Sequence, residues 1–267
     1  MIRILTAVTL LAILAAALWL PPYAFVVVLA AFLLVAWNEY AALAAEAGAA
    51  PLRGLGAPLA VACATSFAAT DPRTPVVVIS IAVLLAAFAG LIAGSKHPGL
   101  AVRRAVATVA GICWLGLLPG AYIALRYEPD GVALIVLLFA AVSSGDIAAY
   151  YGGKALGRHP LAPHLSPKKT VEGAVFGLIA SGIGAAIVVY YWIPASTWPR
   201  GLLVGLLLGA VGQAGDLFES SLKRAAGTKD SSRLLPGHGG ILDRLDGLLF
   251  GGMVLYAAVF FGLLFLG

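Results

Sequence analysis

Long apolar runs alternate along the chain with short breaks of Pro, Gly and charge. Nine runs are long enough to cross a bilayer, which takes about 20 apolar residues, somewhat fewer at the short end. They lie near 4–20, 23–45, 55–70, 75–94, 103–126, 131–152, 170–192, 201–223 and 245–266. The third is the weakest, being short and interrupted by Pro58. Breaks fall at Pro21-Pro22, Gly48 to Pro51, Asp71 to Pro75, Pro98-Gly99, Glu128 to Gly131, Pro160 to Pro167 and Pro194 to Pro199. The pattern predicts an all-α polytopic membrane protein with about nine transmembrane helices. No soluble domain fits between the runs. A single integral membrane domain over 1–267 is expected, with 1–130 as N-terminal spans and 131–267 as the spans and cytoplasmic loops that carry the chemistry.

Composition agrees. The chain is 61% hydrophobic and 11% charged, with a mean hydropathy of +1.00. The net charge of +5 would suit nucleic acid, but its placement matters more than its total. If the N-terminus is cytoplasmic, 14 of the 17 Lys and Arg fall on the inner side and only Arg73, Arg126 and Arg200 on the outer. That asymmetry orients the protein with its C-terminus outside. No nucleic-acid partner is expected. The run after Arg3 could pass for a signal peptide cleaved near Ala15-Ala16-Ala17, but a single Arg in the n-region favours an uncleaved first span. Cys63 and Cys113 lie in apolar runs with no Cys or His at metal-ligand spacing, so they read as small buried hydrophobes. Trp19, Trp37, Trp192 and Trp198 fall near span ends, where interfacial anchors belong. Glu39, Glu46, Glu128 and Asp130 read as solvated ends, and His97 as a loop residue.

One segment breaks the apolar pattern. Between Asp216 and Asp246 lie five of the twelve acids and five of the seventeen Lys and Arg. Such a cluster beside lipid is expensive unless it functions. A plain topology loop would need Lys and Arg but has little use for Asp or His. On a helix, Asp216, Glu219 or Ser220, and Lys223 share one face, as do Asp243 and Asp246 at the start of the next run. Gly237-His238-Gly239-Gly240 between them could let backbone N–H groups close on an anion. Carboxylates, cations and a glycine turn together suit phosphate chemistry with a divalent metal.

A second polar stretch lies on the same side. Asp146, Tyr150 and Lys154 are spaced four apart at the inner end of the sixth run. Lys168 and Lys169 precede the seventh, where an anion would meet two cations and the positive end of a helix. Positive-inside anchoring would explain the lysines alone, but an Asp inside an apolar run points to function. Glycines at four-residue spacing, Gly201, Gly205 and Gly209, Gly173 and Gly177, Gly247 and Gly251, fit close helix packing inside the chain, with a homodimer seam as the alternative.

The run Ser220-x-Leu-Lys223-Arg224-x4-Lys229-Asp230-x-Ser232-x2-Leu235-Pro236-x-His238-Gly239-Gly240-Ile241-x-Asp243-Arg244-Leu245-Asp246 resembles the signature of phosphatidate cytidylyltransferases, the CDP-diacylglycerol synthases, without a gap over 27 residues. Asp146-Ile-Ala-Ala-Tyr150 and Ser166-Pro-Lys168-Lys169-Thr170-x2-Gly173 are similar to two further elements of that family, with Ala148 where Gly is usual. Residues 1–140 resemble it only as hydrophobic spans. The resemblance implies that CTP and phosphatidate react at the cytoplasmic face of the cell's inner membrane to give CDP-diacylglycerol and pyrophosphate. Asp216, Asp243 and Asp246 would then hold Mg²⁺, with a second, monovalent cation left open. Lys223, Arg224 and Lys229 would hold the triphosphate. Lys168 and Lys169 would take the lipid phosphate or share the nucleotide. His238 would donate a hydrogen bond, because a phosphate nucleophile is already ionised. Asp146, Ser220, Gly239 and Gly240 would line the substrates. The rivals are a CTP-dependent polyprenol kinase, with the same nucleotide site and another acceptor, and an ion-coupled transporter. A transporter would be expected to show paired similar halves, and no internal repeat is visible.

Overall fold

The structure, a computed structural model, describes residues 9, 12, 13, 15–94, 96–235, 237 and 239–265. Helix α1 spans Pro22–Glu46, α2 Arg53–Thr65, α3 Arg73–Ala93 and α4 Pro98–Ile112. A π-helical turn, Cys113–Leu117, joins α4 to α5, Leu118–Tyr127. Then come α6, Gly131–Leu156, strands β1, Pro160–Ala162, and β2, Ser166–Thr170, and helices α7, Val171–Trp192, α8, Trp198–Ala225, and α9, Leu242–Phe260.

The helix boundaries follow local chemistry. Pro22 and Pro98 occupy first turns, where a missing N–H costs nothing. Gly48, at φ +82°, ends the first helix with its N–H on Ala45 O. Pro119 cannot donate to the preceding turn, and the ladder ahead of it widens into the π turn. Thr170 caps α7 by accepting from the Gly173 N–H at 3.1 Å.

Among the described residues six helices are long and apolar enough to cross a membrane: α1, α3, the continuous α4–α5, α6, α7 and α8. This is a multi-pass, all-α membrane protein. The expected third span is helical but too short. The 13 residues of α2 cover about 20 Å, against a hydrocarbon core of about 30 Å. Helix α9 has 19 residues and carries Asp243, Arg244 and Asp246 in its first five. About half of the expected span at 4–20 lies outside the described residues; of the rest, 15–19 are helical. The break at 160–167 holds something the apolar pattern gave no sign of, an antiparallel hairpin pairing Pro160 with Thr170 and Ala162 with Ser166.

The chain forms two compact units, Met1–Tyr127 with Leu222–Leu245, and Glu128–Ser221 with Asp246–Gly267. In the first, Trp37 is fully buried and meets Tyr40 edge-on at 5.7 Å. Tyr40 in turn meets Trp114 at 5.9 Å and donates its hydroxyl to Ala107 O at 2.6 Å. Trp37 is therefore a core residue and not the interfacial anchor expected from its place in the run. Gly56 and Gly111 make room, because a Cβ on either would strike its ring. Trp19, Trp192 and Trp198 are exposed. Cys63 is buried as expected but Cys113 is only half-buried, and neither is bridged in a disulfide.

In the second unit the glycine rows serve internal packing. A Cβ on Gly201 would meet the Val189 side chain at 2.7 Å and one on Gly205 would collide with Ser181 O, so α7 and α8 pack at close range. Gly247 approaches Gly212 O, and Gly215 approaches Asp246 O, closing α8 on α9 in the same way.

Candidate active site

The polar segment divides between the two units. In the first, Asp243 opens α9 and gathers the preceding loop around its carboxylate. Oδ2 accepts from the backbone N–H of Ser231 and of Gly240, each at 2.8 Å, and lies 2.7 Å from Ser231 Oγ. Oδ1 accepts from Lys223 Nζ at 2.6 Å, a pair whose side chains are only 11% and 7% exposed. Four donors occupy the roughly four lone-pair positions of a carboxylate. Asp243 precedes the apolar part of its helix. Its burial opposes ionisation, but the hydrogen bonds from Gly240, Lys223 and Ser231 outweigh that and hold its pKa below the usual Asp value. Gly239 stands at φ +80° and a Cβ there would meet Asp243 Oδ2 at 2.5 Å, so the turn requires glycine. The backbone donor expected to cradle an anion, Gly240 N–H, here grips the chain's own carboxylate.

A second carboxylate holds the same loop from the other side. Glu39, buried near the end of α1, accepts from the Ser232 hydroxyl at 2.6 Å and the Ile241 N–H at 3.0 Å on Oε1, and from the Leu242 N–H at 2.9 Å on Oε2. Ser231 Oγ lies 3.2 Å from Oε2. One hydroxyl carries one proton, so Ser231 serves Glu39 or Asp243 but not both at once. Glu39 is thus not a solvated helix end. The signal that picked out Asp146, an acid inside an apolar run, applies to it equally.

In the second unit, Lys169 Nζ donates to Asp216 Oδ2, with about 30% of each side chain exposed. Ser220 adds a longer contact, 3.3 Å to Asp216 Oδ1. The hairpin explains why Lys168 and Lys169 differ. Successive strand residues face opposite ways, so Lys169 reaches Asp216 while Lys168 stays exposed. Glu172, in the first turn of α7, fixes the start of the hairpin by accepting from the Arg158 N–H at 3.0 Å and pairing with His159 Nδ1 at 2.6 Å. Asp146 lines a small cavity with Ser181 and Gln213, where Ser181 Oγ is buried with no hydrogen-bond partner among the described residues. Asp246 accepts from the Gly247 N–H at 2.7 Å.

Arg224 reaches Thr228 O at 2.8 Å across the last turn of α8, and Lys229 is exposed. His238 lies outside the described residues. Among the described residues no three His, Cys, Asp or Glu side chains converge as a metal-binding group. The acids present offer hard oxygen ligands, which suit Mg²⁺, and Mg²⁺ needs only one or two of them. Asp216, with two contacts and part of its side chain open, fits that role more readily than the fully engaged Asp243. Each of these two carboxylates is matched to a lysine.

A family model described as the cytidylyltransferase family matches residues 1–261, including the N-terminal spans in which hydrophobicity alone was legible. The chain is 51% identical over 129 residues to a phosphatidate cytidylyltransferase of Brucella suis biovar 1, covering 48% of this chain and 47% of the relative. It is 46% identical over 132 residues to one of Synechocystis, covering 48% and 43%. It is 41% identical over 135 residues to one of Helicobacter pylori, covering 51% and 50%. The chain thus spans about half the length of the curated relatives it matches.

Proposed function

The chain belongs to the cytidylyltransferase family, and on that premise we propose that it transfers the cytidylyl group of CTP to phosphatidate at the cytoplasmic face of the inner membrane. A phosphate oxygen of phosphatidate attacks the α-phosphorus of CTP. The bond from that phosphorus to the bridging oxygen of the β-phosphate breaks, and pyrophosphate leaves. The observation that carries the reading is the matched pairing of Lys169 with Asp216 and Lys223 with Asp243. Two polyanions must be brought together, so catalysis rests on positioning and charge neutralisation.

Lys223, Arg224 and Lys229 neutralise the triphosphate and the pyrophosphate as it forms. Lys168, exposed at the hairpin, serves the lipid phosphate. Lys169 joins it on release from Asp216. His238 donates a hydrogen bond to a phosphate oxygen. Asp216 and Asp246 are the candidate ligands for Mg²⁺, which when bound would withdraw charge from the phosphate oxygens; Asp243, its oxygens already engaged, holds the loop instead.

Labelled CTP supplied to the purified protein with phosphatidate should yield a lipid-soluble cytidine product, and the yield should collapse without Mg²⁺. A labelled lipid that retains phosphate but no cytidine, formed on a polyprenol acceptor, would favour the kinase instead.

A further inference from the structure

We propose that Glu39 is a positioning residue for the nucleotide loop, holding its two ends, Ser231–Ser232 and Ile241–Leu242, at the separation that receives CTP. The argument rests on the cytidylyltransferase reading for its substrate, but its structural part stands on distances alone. Glu39 is 6% exposed, inside a mostly apolar helix. A carboxylate in such a place is costly unless its oxygens are satisfied. Among the described residues they are satisfied by one segment. The Ser232 hydroxyl and the Ile241 N–H meet Oε1, the Leu242 N–H meets Oε2, and Ser231 Oγ lies between Oε2 and Asp243. The two backbone donors are at the amino end of α9, where N–H groups have no intrahelical acceptor and the helix dipole favours a negative charge.

The contact ties two points of the loop at once. Ser231 and Ser232 enter it just after Lys229 and Asp230; Ile241 and Leu242 leave it just before Asp243. Glu39 therefore sets the distance across the loop. A Cβ on Gly240 would collide with Glu39 Oε1 and Ser231 Oγ, which explains why this position carries no side chain. Glu39 touches no residue assigned to the phosphates except through this frame. Its loss should loosen the part that binds CTP and leave phosphatidate binding in place.

The test uses Glu39→Gln and Glu39→Ala in the full-length protein, with Glu46→Gln, exposed on the same helix, as control. Hydrogen exchange on peptides covering 229–242 should speed up at least tenfold in Glu39→Ala and less in Glu39→Gln, which keeps one acceptor oxygen, while peptides within 30–45 stay protected. The KM for CTP should rise about tenfold or more, and that for phosphatidate should stay within threefold. Loop exchange within twofold of the unsubstituted protein would overturn the proposal. So would a loss of maximal rate with both KM values unchanged, since that marks only a smaller folded fraction. If the unsubstituted protein transfers no cytidylyl group, the functional reading fails, and the exchange measurement still decides whether Glu39 holds the loop.

Discussion

Lys223 Nζ lies 2.6 Å from Asp243 Oδ1, joining the last turns of α8 to the first turn of α9 across a loop of sixteen residues, 226–241. Both side chains are largely buried, so removing one partner strands the other's charge. Lys223→Met should destabilise the protein by about 3–5 kcal/mol. The double variant Lys223→Met with Asp243→Asn should recover part of that loss. A double-mutant cycle on thermal unfolding in detergent checks it; strict additivity would mean that the pair contributes nothing through its charges.

Asp216→Asn should abolish turnover while the protein still inserts and purifies, and Asp243→Asn should abolish it with the loss of stability that breaking its buried pair brings. Extra CTP should not restore either. Activity within a factor of about ten of the unsubstituted enzyme, roughly 1.4 kcal/mol, would remove that residue from the reaction.

The hairpin separates its two lysines. Lys168→Ala should raise the KM for phosphatidate by roughly 10- to 150-fold, the worth of about 1.5–3 kcal/mol in a charge-assisted contact, and leave kcat nearly unchanged. Lys169→Ala should lower kcat as well, because it also removes the partner that holds Asp216 in place. Lys229→Ala should raise the KM for CTP instead. Varying each substrate in turn distinguishes these outcomes, and equal effects from all three variants would mean one shared phosphate cradle.

The Asp243 carboxyl ionises more readily folded than unfolded. Its contribution to stability is therefore fully present above the ordinary Asp pKa, about 3.9. It is lost as pH falls through the depressed native value. Unfolding followed from neutral to strongly acid pH should show an acid limb that Asp243→Asn flattens. An unchanged limb would assign acid sensitivity to other carboxylates.

Arg233→Cys should be labelled by an impermeant thiol reagent only from the cytoplasmic side, and Glu128→Cys only from outside, after replacement of Cys63 and Cys113. The reverse pattern would overturn the orientation drawn from Lys and Arg placement.

The sequence by itself determined the membrane class, most helix positions and the identity of the polar segment. Lipid demands long apolar runs, and Pro and Gly punctuate them visibly, so α1, α3, α4–α5, α6, α7 and α8 could be placed to within a few residues. The 27-residue signature was legible because its charges stand in an apolar background. Tertiary structure alone decided which apolar faces meet protein. In a lipid-facing chain an inward and an outward residue have the same hydropathy, so Trp37 looked like an anchor and proved to be core. The partition of Lys168 from Lys169 depended on a hairpin too short and too polar to announce itself by periodicity. The role of Glu39 depended on donors some two hundred residues away. Local spacing holds no trace of such a contact, because its hydrogen bonds gain their weight only when the carboxylate is shut away from water, and burial exists only once the helices have packed.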